Sequence, residues 1–370
     1  MPRRLAQRMR LISSSVIMPV PVVSGIVKRW HYNVIWRLSR YELRHPVRLN
    51  VSGSPESEAD FLTNHYALLE QESLLHLEGP DSAQFLQGQV TCDAREVDAS
   101  SARPGAYCTP KGRVVCDFLL CQLQEQHLAL RLRRDLRTPS AEVFGKYIIF
   151  SKAELDPDND DWAIVGCWGD TVAATLKDIF GDAPDACHAA VQGDGFYLVQ
   201  ADSQGKRYEC YIQRSRQSPL IERLQASLEK AAEAVWQLME IDAGVARIQA
   251  ATSGEFVPQM LNFDLTGHIS FSKGCYTGQE VVARLHYRGT PKRRLYRVAL
   301  PTGSEAKPGD ALFGTGSQSV GNLVNLADPA KSQRALVVAT VEKLDEGLHL
   351  DSASGPELEL MELPYSLDSH

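Results

Sequence analysis

Short apolar runs broken by Gly, Pro and Asp fill the chain from about residue 61 onward. Residues 74–77 run apolar into the turn Gly79-Pro80-Asp81, and residues 82–88 then read as a short helix capped by Asp81 and stopped by Gly88. Residues 105–109 and 113–121 flank Pro110-Lys111-Gly112 as a β-hairpin, and residues 127–132 add a strand. Ser140 caps a predicted helix over 140–148. A compact α+β module follows: strand-like 163–166, helical 171–180, strands at 195–199 and 208–212, and a helix from Ser218 to about Lys230. Residues 231–245 are helical in pattern, and 269–284 read as strand, turn and helix start. From Leu295 strands take over, at 295–300, 319–321, 335–341 and 357–362, which predicts a small antiparallel barrel or sandwich.

Charge separates the first fifty residues from the rest. They hold ten Lys/Arg against the single acid Glu42, a net of +9, so with −7 overall the remaining residues carry −16. An acidic body argues against general nucleic-acid affinity, although a local basic patch still suits a phosphate-bearing partner. Residues 11–27 are apolar only in patches, are interrupted by Pro19 and Pro21, and fall short of a membrane span of roughly 20 residues. With the Ser/Gly/Pro/Glu linker at 50–59, residues 1–60 read as a basic, disordered extension; the alternative, an organellar presequence, would turn a cytoplasmic location into the mitochondrial matrix. The eight cysteines form no Cys-x-x-Cys pair, which suits reduced thiols; the group Cys108, Cys116 and Cys121 lacks zinc spacing, so no metal is expected.

The densest chemistry lies at residues 271–294, FSKGCYTGQEVVARLHYRGTPKRR. Cys275 would sit near a helix N-terminus beside Lys273, a setting that favours thiolate, while Gly274 and Gly278 permit backbone geometry a Cβ would forbid. Arg284, His286, Arg288, Lys292, Arg293 and Arg294 form a basic run suited to an anion, although such runs are usually solvated faces. Upstream, Glu255, Gln259 and Asn262 are polar positions in an apolar run, able to accept the donors of a heterocycle or to cap a turn. Walker A, Gly-x-Gly-x-x-Gly, His-Glu-x-x-His and Gly-x-Ser-x-Gly patterns are absent, so triphosphate, dinucleotide, zincin and hydrolase readings have no support.

The eight residues Lys273-Gly274-Cys275-Tyr276-Thr277-Gly278-Gln279-Glu280, with Arg284, Gly289 and Lys292-Arg293 after them, resemble the signature of the YgfZ family. That family is related to the folate-binding glycine-cleavage T-protein, an aminomethyltransferase. The likeness extends to Ser253-Gly254-Glu255-Phe256-Val257-Pro258-Gln259 and Asn262, to residues 363–367, and begins near residues 74–79. It implies an α+β, three-lobed T-protein-like fold ending in an antiparallel β-barrel. It further implies a discontinuous folate-binding domain (61–150 with 232–290), an α+β domain (151–231) and a barrel domain (291–370). Tetrahydrofolate or a derivative is the implied cofactor, with Cys275 and Lys273 as the reactive pair and Trp236, Tyr276, Gln279, Glu280, Arg284, Glu255, Gln259, Asn262 and Asp117 as its contacts.

A pterin would stack on Trp236, which otherwise reads as core. A second family tryptophan is unmatched, since that region reads Gln71-Glu72-Ser73, a departure that weakens the implied ring site or moves it to another aromatic. T-proteins place two adjacent acids where this chain has Cys116-Asp117, which counts against a glycine-cleavage reaction. The implied role is support of iron–sulfur enzymes such as tRNA methylthiotransferases, and through them tRNA modification. That role leaves room for direct tRNA contact, and no membrane association is expected alongside it. Two other readings stand beside it: a true aminomethyltransferase, or a scaffold that binds tRNA or assembly factors without folate.

Overall fold

The central strands of the first two sheets are buried on both faces, and that decides how the chain layers. The computed structural model describes residues 63–327 and 333–367; the reading of residues 1–60 as an extension lies outside them. In order, the elements are β1 (His65–Leu68), β2 (Glu72–Glu78), α1 (Ser82–Gln87), β3 (Arg103–Cys108), β4 (Val114–Gln124), β5 (His127–Arg133), α2 (Arg134–Gly145) and β6 (Glu154–Asp156). Then come β7 (Trp162–Trp168), α3 (Val172–Phe180), β8 (Ala190–Gly193), β9 (Phe196–Gln200), β10 (Arg207–Gln213), α4 (Arg214–Ser227), β11 (Glu229–Lys230), α5 (Glu233–Asp242) and α6 (Gln279–Arg288). Six strands close the chain: β12 (Arg293–Ala299), β13 (Ala311–Phe313), β14 (Ser319–Ala327), β15 (Arg334–Thr340), β16 (Leu348–Leu350) and β17 (Glu357–Met361).

They form three β assemblies: a five-stranded sheet ordered β3-β4-β5-β2-β6, a six-stranded sheet ordered β11-β1-β7-β10-β9-β8, and a closed barrel ordered β12-β15-β14-β13-β16-β17. On β2 and β4, Leu75, Leu77, Phe118 and Leu120 face one core with Phe144 of α2 and Ile241 of α5. The alternate residues Leu74, Leu119 and Cys121 face a second core with Ile164, Tyr197, Tyr211 and Trp236, which joins the two sheets. Leu176 of α3 and Leu224 of α4 cover the outer face of the second sheet. Burial on both faces explains why these strands read as continuous apolar runs.

Several local expectations change. His65–Leu68 pairs with β7 and β11 in the second sheet, while β6 pairs with β2 in the first, so the chain crosses between sheets at both points. The helix expected at 140–148 starts at Arg134; Pro139 lies inside it and Ser140 is buried. Leu136, Ser140, Ala141 and Phe144 repeat at helical spacing on the core, and that burial overrides the boundary signal of the proline. Asp81 precedes α1 without capping it, its carboxylate accepting instead from the Lys152 amide at 2.8 Å. Residues 269–271 form no strand, and β13 and β16, three residues each, are too short to leave a periodic signal.

Candidate functional site

A cavity of about 1000 Å³ opens between the first two sheets, walled by α5, the β4 and β5 strands, Trp168 at the end of β7 and the C-terminal Pro364-Tyr365. Trp236 of α5 packs against β7 at Gly166, where any Cβ would come within 2.6 Å of the indole. Trp168 sits beside it, ring centroids 6.1 Å apart. The Trp236 indole is buried, and its Nε1–H meets no acceptor among the described residues.

Around the indoles lies a buried charge network. Arg247 donates from Nη2 to Glu72 (2.8 Å), from Nε to Asp117 (2.7 Å) and from Nη1 to Glu240 (2.8 Å). Arg131 grips both oxygens of Glu209 and reaches Glu72 at 3.4 Å, and Arg133 reaches the other Glu72 oxygen at 3.4 Å. Asp117 also accepts from the Ile248 amide at 2.5 Å. Period-2 geometry builds part of this: Glu72 pairs with Arg133 and Leu74 with Arg131 across β2 and β5, so both guanidiniums project from one face. Burial alone would raise the Glu72 carboxyl, but Arg247, Arg131 and Arg133 outweigh it and hold it at about 2. Burial pushes the cavity histidines down, His188 to about 4 and His268 to about 3, so both are neutral at neutral pH.

Cys275 lies elsewhere. Its loop docks on residues 87–92: the Lys273 ammonium donates to the carbonyls of Gln87 (2.9 Å), Val90 (2.7 Å) and Cys92 (2.7 Å), and the Ser270 amide donates to Thr91 (2.9 Å). Burial pushes Lys273 down to about 8, and among the described residues no hydrogen bond or ion pair links it to Cys275. Cys275 is exposed, three residues before the α6 cap Gly278. Gly278 has φ +84°, and a Cβ there would lie 2.5 Å from the Thr109 carbonyl, so the loop packs on the hairpin turn only because this residue is glycine. From Val114, at that end of the hairpin, to Asp117 in the cavity wall is three residues, roughly 10 Å of strand.

Of the predicted contacts, Trp236 and Asp117 line the cavity and the other seven do not. Tyr276 is buried beneath Lys273, whose Nζ is 5.2 Å from the ring centroid. Gln279 is half-buried, while Glu280, Arg284 and Glu255 are exposed. Gln259 donates to the Val282 carbonyl at 2.7 Å. Asn262, left-handed at φ +57°, bonds both backbone groups of Leu295 and the Tyr365 hydroxyl, so it braces the cavity wall from behind. The basic run also divides: Arg284, Arg288 and Lys292 are exposed, His286 stacks on Phe271 at 3.6 Å, and Arg294 is buried in an ion pair with Asp264 at 2.7 Å. Cys108, Cys116 and Cys121 are buried.

The sequence reading missed Glu72, Arg131, Glu209, Glu240, Arg247 and Trp168. A signal existed, because charged residues inside apolar strands must be paired: Arg131 and Arg133 alternate with Leu128, Leu130 and Leu132, and Glu209 lies between Tyr208 and Cys210.

Two sheets that enclose such a cavity, followed by a closed six-stranded barrel, define an aminomethyltransferase-type fold. The structure is similar to the glycine cleavage system aminomethyltransferase T from Bartonella henselae, with a TM-score of 0.67 over 82% of this chain and 87% of that one, at 15% identity. No family profile matches the chain. Whole relatives do: it is 34% identical over 244 residues to the tRNA-modifying protein YgfZ of Pectobacterium atrosepticum, covering 66% of this chain and 73% of that protein. Against the tRNA-modifying protein YgfZ of Serratia proteamaculans it is 33% identical over 305 residues, 81% of this chain and 92% of the relative. The chain therefore belongs to the YgfZ family.

Proposed function

We propose that this chain is a tetrahydrofolate-binding accessory protein that supports assembly or repair of iron–sulfur enzymes and, through them, tRNA modification. The observation that carries the reading is the cavity at Trp236. Its volume suits a small-molecule ligand, its walls join two indoles to a few fixed polar groups, and the Glu240 carboxyl among them offers an acceptor to a flat heterocycle. A folate fits this chemistry, and when bound it supplies a carrier for one-carbon units. The chain's own residues hold the ring and exclude water from it. Cys275, exposed on a loop outside that cavity, is free to meet a partner enzyme. The relatives' description as tRNA-modifying proteins supports the downstream role.

The fold alone also suits aminomethyl transfer. Asp117 counts against it, since both its oxygens are occupied by Arg247 and the Ile248 amide and its neighbour is Cys116 rather than an acid. A folate-free scaffold that binds tRNA rests on the exposed Arg284, Arg288 and Lys292.

Calorimetric titration of the full chain with tetrahydrofolate, beside Trp236→Phe, tests the reading. Saturable binding that weakens about tenfold in the variant is expected. Equal affinity, or no binding by the native chain, would contradict it.

A further inference from the structure

We propose that Glu240 is the group through which the cavity reads the N–H donors of its ligand's ring, giving up one proton as the ligand binds; this rests on the folate reading above. Four carboxylates, Glu72, Asp117, Glu209 and Glu240, meet three guanidiniums, Arg131, Arg133 and Arg247, in one buried cluster. One negative charge is left over, and an uncompensated buried charge is costly enough that a proton neutralises it.

Hydrogen bonding decides where that proton goes. Glu72 is held by three arginines, Glu209 by two nitrogens of Arg131 and by the Tyr211 hydroxyl at 2.6 Å, and Asp117 by Arg247 and the Ile248 amide. Glu240 accepts a single bond, at Oε1 from Arg247; Arg131 stands 3.9 Å from the same oxygen. Its Oε2 has no hydrogen-bond partner among the described residues, and the side chain lines the cavity. Burial raises this carboxyl above its ordinary range; Arg247 and Arg131 oppose that, and the like charges of Glu72 and Glu209 add to it.

The free oxygen thus carries the proton in the ligand-free cavity. A ring that offers adjacent N–H groups, as a 2-amino-4-oxo pterin edge does, satisfies the carboxylate instead and displaces it. Elsewhere in the cavity lining, His188 and His268 are neutral well above their lowered values, and Asp242 on the same helix is paired with Arg297 at 3.3 Å and Arg334 at 2.6 Å.

The test is calorimetry of the full chain with tetrahydrofolate in two buffers of different ionisation enthalpy, from about pH 5, just above the ordinary carboxylate range, up to about pH 8, on the native protein, Glu240→Gln and Glu240→Asp. Native protein should release a measurable fraction of a proton, and its affinity should rise with pH by up to about tenfold per unit, the limit for one proton. Glu240→Gln keeps the acceptor for Arg247, so it should fold, bind without proton exchange and show a flat affinity; Glu240→Asp should restore the exchange. Binding with the same proton release in native and Gln forms, or with none in the native form, overturns the inference and leaves the folate reading standing. No binding by any of the three overturns both.

Discussion

The two places where this chain departs from ordinary core and surface are built on opposite principles. Around Trp236 charge is buried, crowded and paired, with Arg247 alone bridging β2, β4 and α5. Around Cys275 the thiol is exposed, and its neighbour Lys273 is turned inward to three backbone carbonyls. A ligand that must be desolvated and oriented needs the first kind of site, and a thiol that must meet another protein needs the second. Lys273 thus serves the shape of the Cys275 loop before it serves the thiol.

That contrast is easiest to break at Arg247. Replacing it with Leu leaves Glu72, Asp117 and Glu240 without their common partner, and urea unfolding should show a loss of about 3–5 kcal/mol. An unchanged midpoint would mean that the network holds little of the fold together. Lys273→Met comes next: three carbonyls lose their donor, at a cost of about 2–3 kcal/mol, while the alkylation rate of Cys275 should stay within a few-fold of native. Native stability combined with a collapsed alkylation rate would return Lys273 to the thiol. The smallest effect is expected for Cys275→Ala, within about 0.5 kcal/mol in stability, because the side chain is exposed. Cells relying on that variant should nonetheless lose iron–sulfur enzyme activity if the thiol acts on partners.

Motif and strand pattern carried the fold a long way. The hairpin at Pro110-Lys111-Gly112, the strands β7, β9 and β10 of the second sheet and the four longer barrel strands were legible because turn residues and apolar runs are local signals. Helix α2 was misplaced because Pro139 speaks locally for a boundary, while the burial of Leu136 and Phe144 is decided by tertiary packing. Trp236 and Asp117 were singled out from the sequence and both line the cavity, whereas their neighbours there were not. Glu72, Arg131 and Arg247 lie 59 to 175 positions apart, and nothing in their local sequence says that they meet. Gln259 and Asn262 were read for their polar groups, which the backbone of Val282 and Leu295 claims instead. Sequence proximity to Cys275 drew residues 276–284 into one predicted site, although chain neighbours on a loop and a helix need not share a cavity.

The central claim is that the indole cavity, and not the cysteine loop, holds the ligand. Its most direct test is tetrahydrofolate affinity measured side by side for Trp168→Phe and Cys275→Ala. Trp168 lines the cavity beside Trp236, so its variant should bind about tenfold more weakly, while Cys275→Ala should stay within about twofold of native. Native affinity in Trp168→Phe together with lost binding in Cys275→Ala would place the ligand at the loop and contradict the account.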